Sequence, residues 1–247
     1  MKKQIFIALL FVSNYCAAQN DRVSDNNNTN WAQLFVSKAI NKKMDWLVEY
    51  QWRRTDGLKN WQQGLFRTAF QYKLNTNVSV ALGYAEAETF PYGDYPLAAN
   101  GTFPEHRIFE QAVIKQVINK LSITNRFRIE QRWLGRVKAD TDRDIEGWTY
   151  LNRFRYQCRM QLPLWAKNQQ QFYAVAADEI FIGAGKNVGV NIFDQNRIFL
   201  LAGFKFNKNI TVEGGYFNQT LQQGRRINNS TIMQRNNGAV LATYLSL

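Results

Sequence analysis

The segment Asn125-Arg126-Phe127-Arg128-Ile129-Glu130-Gln131-Arg132-Trp133 decides the fold, and Arg153-Phe154-Arg155-Tyr156-Gln157-Cys158-Arg159-Met160 repeats its pattern. A strand sends successive side chains to opposite faces, so each segment has one arginine-lined face and one mostly apolar face. The arginine face cannot enter an ordinary protein core, because buried guanidinium groups need partners. One surrounding suits both faces: the apolar side meets lipid while the arginines line a closed transmembrane barrel. That orientation predicts Phe127, Ile129, Phe154 and Tyr156 outside, with Arg128 and Arg155 inside.

The same period of two extends in both directions. Strands are expected at about 30–40, 44–54, 60–74, 77–89, 105–118, 121–136, 147–162, 170–182, 194–206, 209–220 and 232–247, eleven segments in all, where barrels of this kind have an even number. The fold class is therefore all-β, a single-chain antiparallel transmembrane β-barrel of 10–12 strands. Tight connections at Asn41-Lys42-Lys43, Asn75-Thr76, Asn119-Lys120 and Asn207-Lys208, with a longer Pro163–Gln169 link, alternate with long ones at 55–59, 90–104, 137–146, 183–193 and 221–231. Short periplasmic turns and long external loops give this alternation. Trp31, Trp52, Trp61, Trp133 and Trp148 near the loops, and Trp46, Tyr72, Phe206 and Tyr244 near the turns, read as two aromatic girdles.

Ahead of the strands, Met1-Lys2-Lys3, the apolar run Ile5–Val12 and Cys16-Ala17-Ala18 form an expected signal peptide, residues 1–18. Residues 19–29 read as a flexible polar lead-in and 30–247 as the barrel. Removing the leader takes away Lys2 and Lys3, so the net charge falls by two, from +12 to +10. It also takes Cys16, leaves Cys158 as the one thiol and excludes an internal disulfide. The expected location is the outer membrane, the expected partners are its lipid and the barrel-assembly machinery, and the expected state is a monomer. A pI near 9.8 does not signal nucleic acid, since the basic residues are strung one per strand face rather than clustered.

Ordered motifs carry a resemblance. Phe103-Pro104-Glu105-His106-Arg107-Ile108-Phe109-Glu110-Gln111, Asn125–Arg132, Leu151-Asn152-Arg153-Phe154-Arg155-Tyr156, Asp178-Glu179-Ile180-Phe181, Phe193-Asp194-Gln195-Asn196-Arg197 and Gly214-Gly215-Tyr216-Phe217-Asn218-Gln219 resemble an outer-membrane β-barrel family catalogued as a domain of unknown function, numbered twenty-four ninety. The resemblance covers residues 30–247. It implies a small outer-membrane barrel and no catalytic residues.

The expected lumen gathers Arg53, Arg67, Arg107, Arg126, Arg128, Arg132, Arg153, Arg155, Arg159 and Arg197, with Lys73, Lys115 and Lys205, against Asp45, Glu49, Glu130, Glu179 and Glu213. Cross-strand neighbours come within about 5 Å, close enough for bidentate pairs. The excess of base points to a narrow pore or uptake element preferring small anions. The alternative is a non-conducting structural or surface-binding barrel, plugged by a charge ladder or by Asp140, Asp142, Asp144 and Glu146 folding inward.

A barrel lipase or deacylase is the more distant alternative. His106 is the one possible histidine base, but Ser79 and Ser122 begin strands at the turn side, roughly 30 Å away. Asp178 and Glu179 are adjacent and point to opposite faces, so they form no catalytic pair. The glycines of Gly183–Gly189 precede no helix and read as loop flexibility. No cofactor or metal is expected.

Overall fold

In the computed structural model, which describes residues 22–138, 141, 143–189 and 191–247, eleven strands close into one barrel. They are β1 (Arg22–Ala39), β2 (Met44–Thr55), β3 (Asn60–Lys73), β4 (Val78–Thr89), β5 (Phe103–Ile118), β6 (Leu121–Val137), β7 (Ile145–Lys167), β8 (Gln170–Ala184), β9 (Phe193–Lys205), β10 (Ile210–Ile227) and β11 (Ser230–Ser246). Each strand pairs antiparallel with its neighbour in sequence. The closing pair, β1 with β11, is parallel. An odd number of up-and-down strands leaves the first and last running the same way, so the expectation of an all-antiparallel barrel fails at this seam. Every one of the eleven expected segments is in the wall.

Asparagines make the turns at one end. Asn41 Oδ1 accepts from the N–H groups of Lys43 and Met44, both at 2.9 Å. Asn75 repeats this with Asn77 and Val78, both at 2.8 Å. Asn207 repeats it with Asn209 and Ile210, at 2.8 and 3.0 Å. Asn119 and Asn168 instead adopt the left-handed backbone conformation, each at φ 55°, which asparagine tolerates better than most residues. The Pro163–Gln169 link is thus shorter than the sequence suggests. β7 runs on through Pro163 at a register shift and turns at Asn168 and Gln169. A bulge is one of the few places where a strand accepts a proline.

The opposite, loop end carries the connections 56–59, 90–102, 138–144 and 185–192. The long loop expected at 221–231 is absent. β10 and β11 extend to Asn228 and Asn229, whose φ of 48° and 64° make a two-residue hairpin of the favoured kind. Residues 22–29, read as a lead-in, belong to β1, and 22–28 pair with 231–237 along the seam. Residues 1–21, and with them the expected leader, lie outside the described residues.

The wall has the predicted polarity. Phe127, Ile129, Phe154 and Tyr156 are 48, 41, 47 and 39% exposed, against 5% for Arg128 and 6% for Arg155. Outward-facing Leu82, Leu200, Leu241 and Phe70 are more exposed still. On β8, β9, β10, β11 and β1 this apolar surface stops at outward polar residues: Asp178, Asn196, Asn218, Asn237 and Asn30. Asn196 Nδ2 donates to Asp178 Oδ1 and Asn218 Nδ2 to Asn237 Oδ1, both at 2.7 Å. These residues stand eight or nine positions above the turn-side strand ends, about 20–23 Å along the axis for strands rising about 3.3 Å per residue at a tilt near 40°. Among the described residues, no helix is long and apolar enough to cross a membrane.

Candidate functional site

The inward faces hold a connected set of ion pairs. At its centre Glu130, sealed from solvent, accepts at Oε2 from Arg153 Nε (2.8 Å) and Nη2 (2.5 Å) and at Oε1 from Arg155 Nη1 (2.6 Å). Arg128 Nη1 stands 3.7 Å from the same carboxylate. Arg155 turns its other edge to Glu179, donating from Nη2 at 2.7 Å, and Arg126 Nη2 reaches Glu179 at 2.9 Å. Period two produces this directly, because Glu130 faces Arg153 and Glu179 faces Gln157 in the ladders that bring β6, β7 and β8 together. Charge-assisted, two-pronged bonds of this kind are the strong ones.

Three further groups surround this centre. Glu105 takes Arg107 Nε at 2.7 Å and Arg132 Nε at 2.5 Å, and Asp194 takes Arg153 Nη1 at 2.7 Å. Glu49 pairs with Arg67 and Asp45 with Lys73 Nζ, the latter at 2.7 Å. Towards the turn end Glu213 binds Arg159 Nη2 at 2.5 Å, Tyr173 Oη at 2.7 Å and Tyr244 Oη at 3.1 Å. Aromatic rings fill the spaces between guanidinium groups. Phe109 lies under Arg128 at 4.4 Å, and Phe181 under Arg155 at 4.3 Å and Arg197 at 4.7 Å. Trp31 lies under Arg53 at 4.1 Å and Arg197 at 5.2 Å. Stacked in this way, the rings stabilise cations while giving up no hydrogen-bond donors.

Two of the resulting cavities share part of their lining. The loop-side one has a volume of about 210 Å³ and includes Arg53, Gln63, Arg107 and Gln195 in its lining. The turn-side one is about 550 Å³, with Lys115, Arg126, Arg159 and Glu213 among its walls. The residues common to both are Arg67, Arg155 and Arg197. Three guanidinium groups therefore stand where the linings of the two cavities meet.

The loop 90–102 leaves β4 and crosses the mouth to the far wall. Asp25 on β1 accepts from the backbone N–H groups of Asp94 (3.4 Å) and Tyr95 (3.2 Å). Gln223 on β10 donates to the Tyr95 carbonyl at 2.6 Å, and Arg225 Nη2 to that of Pro96 at 2.8 Å. Tyr92 Oη accepts from Gln62 at 3.1 Å and Asn236 at 3.0 Å. Burial pushes the Tyr92 hydroxyl above its usual pKa, so it stays neutral.

The ten arginines and five acids expected in the lumen are on inward faces, though Arg126 and Arg159 are only partly enclosed. Glu105 and Asp194 join them, and neither had been among the expected acids. Glu105 shares the parity of Arg107, a signal present in the sequence. Asp194 turns inward beside a register shift between Phe181 and Ile182, which sequence spacing does not reveal. Two girdle expectations fail: Trp31 is 2% exposed, packed on Phe217 at 4.0 Å, and Tyr244 faces the turn-side cavity. Of the acids that the plugged alternative would draw inward from the 137–146 loop, Asp140 and Asp142 lie outside the described residues, Asp144 is exposed, and Glu146 pairs with Arg136 at 3.6 Å on the exposed rim. His106 is on the outer wall, its Nδ1 2.6 Å from Tyr84 Oη and its ring 5.0 Å from that of Trp148. Asp178 and Glu179 point to opposite faces, as period two requires. Among the described residues, no three histidine, cysteine or acidic side chains are grouped to hold a metal ion.

Residues 28–231 match the family model described as a protein of unknown function, DUF2490. The chain belongs to that family. It is also 29% identical over 182 residues, 71% of each chain, to an uncharacterized protein of Methylorubrum extorquens. No solved structure matches the chain. This DUF2490 protein thus has a closed barrel whose inside is charged and whose outside is apolar.

Proposed function

We propose that the protein is exported by its leader, inserts as a monomer into the outer membrane, and forms a narrow path or uptake element preferring small anions. The observation that carries the reading is the junction of the two cavities at Arg67, Arg155 and Arg197. Rings of basic side chains at a constriction lower the barrier for anions and raise it for cations. Insertion is supported by the outward apolar surface, whose height approaches the roughly 25 Å band of outer-membrane barrels. This reading needs no chemical step, and His106 serves in it as an interfacial side chain.

A second reading is a non-conducting barrel acting through its external loops. The tethered loop 90–102 and the closely paired Glu130 centre favour it. Purified protein in planar bilayers separates the two. Anion-selective single-channel steps are expected, weakened in selectivity by Arg155→Glu. Silence, or cation preference, overturns the pore and leaves the second reading.

A further inference from the structure

Of the seven arginines that are buried, five stand within ion-pair distance of a carboxylate. Arg53 and Arg197 do not, among the described residues. Arg53, 4% exposed, donates from Nε (3.0 Å) and Nη2 (2.5 Å) to Gln51 Oε1 and from Nη1 (2.8 Å) to Gln63 Oε1. Arg197, 9% exposed, donates from Nε to Gln195 Oε1 at 3.0 Å. Both groups lie over the Trp31 ring and line the loop-side cavity. Glutamine oxygens orient a guanidinium but carry no charge against it, and an indole face offsets only part of that charge.

Two like charges gathered over one ring, out of bulk water, oppose each other unless an anion joins them. The nearby carboxylates are already taken, Glu49 by Arg67, Glu179 by Arg126 and Arg155, Glu105 by Arg107 and Arg132, and Asp194 by Arg153. The glutamines are held in place from behind, since Gln63 donates to Thr89 Oγ1 at 2.8 Å and Gln51 to Glu49. A guanidinium has five N–H donors. Arg53 uses three of its donors on the two glutamines and Arg197 one, so both have donors left for a ligand. A planar, forked donor set matches an oxyanion better than a spherical ion.

We infer that Arg53 and Arg197, stacked on Trp31, form a binding site for a small oxyanion, a phosphate or carboxylate group entering from the loop end. The site rests on the anion-taking lumen proposed above, but not on conduction through it. It makes the loop-side cavity a place where the anion stops, with Arg67 and Arg155 beyond it.

The test uses full-length protein folded in detergent or nanodiscs, titrated at low ionic strength with inorganic phosphate and, separately, with acetate. Heat of binding is one readout. Fluorescence is the other, because Trp31 is the one buried tryptophan of the seven. Saturable binding is expected, weakened at least about tenfold by Arg53→Gln or Arg197→Gln and unchanged by Arg136→Gln on the rim. Which of the two anions saturates tells a phosphate site from a carboxylate site. No saturable binding of either, or equal binding by the glutamine variants, overturns the inference. Should those variants fail to fold, Arg197→Lys keeps the charge and loses the fork, and wild-type affinity there overturns it equally. Binding without single-channel steps removes the pore and leaves the site; conduction without binding does the reverse.

Discussion

Glu130 and Arg153 stand directly opposite each other on β6 and β7, and two N–H groups of the one guanidinium converge on a single carboxylate oxygen at 2.8 and 2.5 Å. The other oxygen is taken by Arg155 at 2.6 Å. One acid thus answers two arginines by hydrogen bond and a third, Arg128, at 3.7 Å. Glu130→Gln leaves these cations short of a counter-charge inside the wall. It should cost about 3–5 kcal/mol, as breaking a buried pair does. The temperature at which the folded band is lost in detergent gels would report it. A shift no larger than that of Glu146→Gln on the rim would show that the centre is solvated.

Leu200 and Asn196 share the outer face of β9, Leu200 within the apolar surface and Asn196 at its polar edge. If lipid covers this surface, Leu200→Arg should cost about 2–4 kcal/mol and Asn196→Arg about 0–1 kcal/mol, the depth dependence of outer-membrane barrels. Unfolding from lipid vesicles by denaturant measures both. Equal costs would place both residues in the same solvent and remove the membrane.

Gly203 faces Tyr173 across β9 and β8, and a methyl group at residue 203 would fall inside the tyrosine ring. The ring lies flat over the glycine and carries its hydroxyl to Glu213 at 2.7 Å. Gly203→Ala should therefore destabilise the barrel by about 1–3 kcal/mol through overpacking. Adding Tyr173→Ala should remove most of that increment, the non-additivity expected of touching residues. Strict additivity in thermal unfolding would contradict the contact.

Asp25 fixes the loop 90–102 through two backbone N–H groups, and Gln234 Nε2 donates to it at 3.0 Å. Asp25→Ala should loosen the loop without unfolding the wall, since β1 keeps its ladders to β2 and β11. Faster proteolytic cutting within 90–102 at unchanged thermal stability is the expected result, with larger current steps if the barrel conducts. Unchanged cutting would mean that Gln223 and Arg225 suffice to hold the loop.

The wall was legible from local chemistry. Alternation around Arg128 and Arg155 assigns faces because strand geometry is fixed residue by residue. Asparagine marks the turns for an equally local reason. Non-local effects were hidden. Trp31 shares one face with Gln33 and Phe35 while Ala32 and Leu34 take the other, so both faces of that stretch are partly apolar, and contacts from other strands, with Phe217, Gln62, Arg53 and Arg197, hold the indole inward. Asn26, Asn27 and Asn28 look like a loose lead-in because they have little strand propensity. Pairing with Arg235, Asn236 and Asn237 overrides it. The crossing of the mouth by 90–102 rests on polar contacts to Asp25, Gln223 and Gln234, from 69 to 139 positions away, which no spacing rule shows.

The parallel seam has a consequence for assembly. Every other strand pair is a hairpin that can zip as soon as its two arms exist, but Arg22 meets Thr231 only when the last strand arrives. Until then the chain is an open ribbon with two bare margins, each a template for the wrong neighbour. The ladder also skips a step where Thr29 and Asn30 pass Gly238 and Ala239, and a side-chain oxygen of Asn30 takes the Ala239 N–H instead. The cylinder is therefore sealed last along an interrupted line, the one place where it can be unfastened without undoing a hairpin.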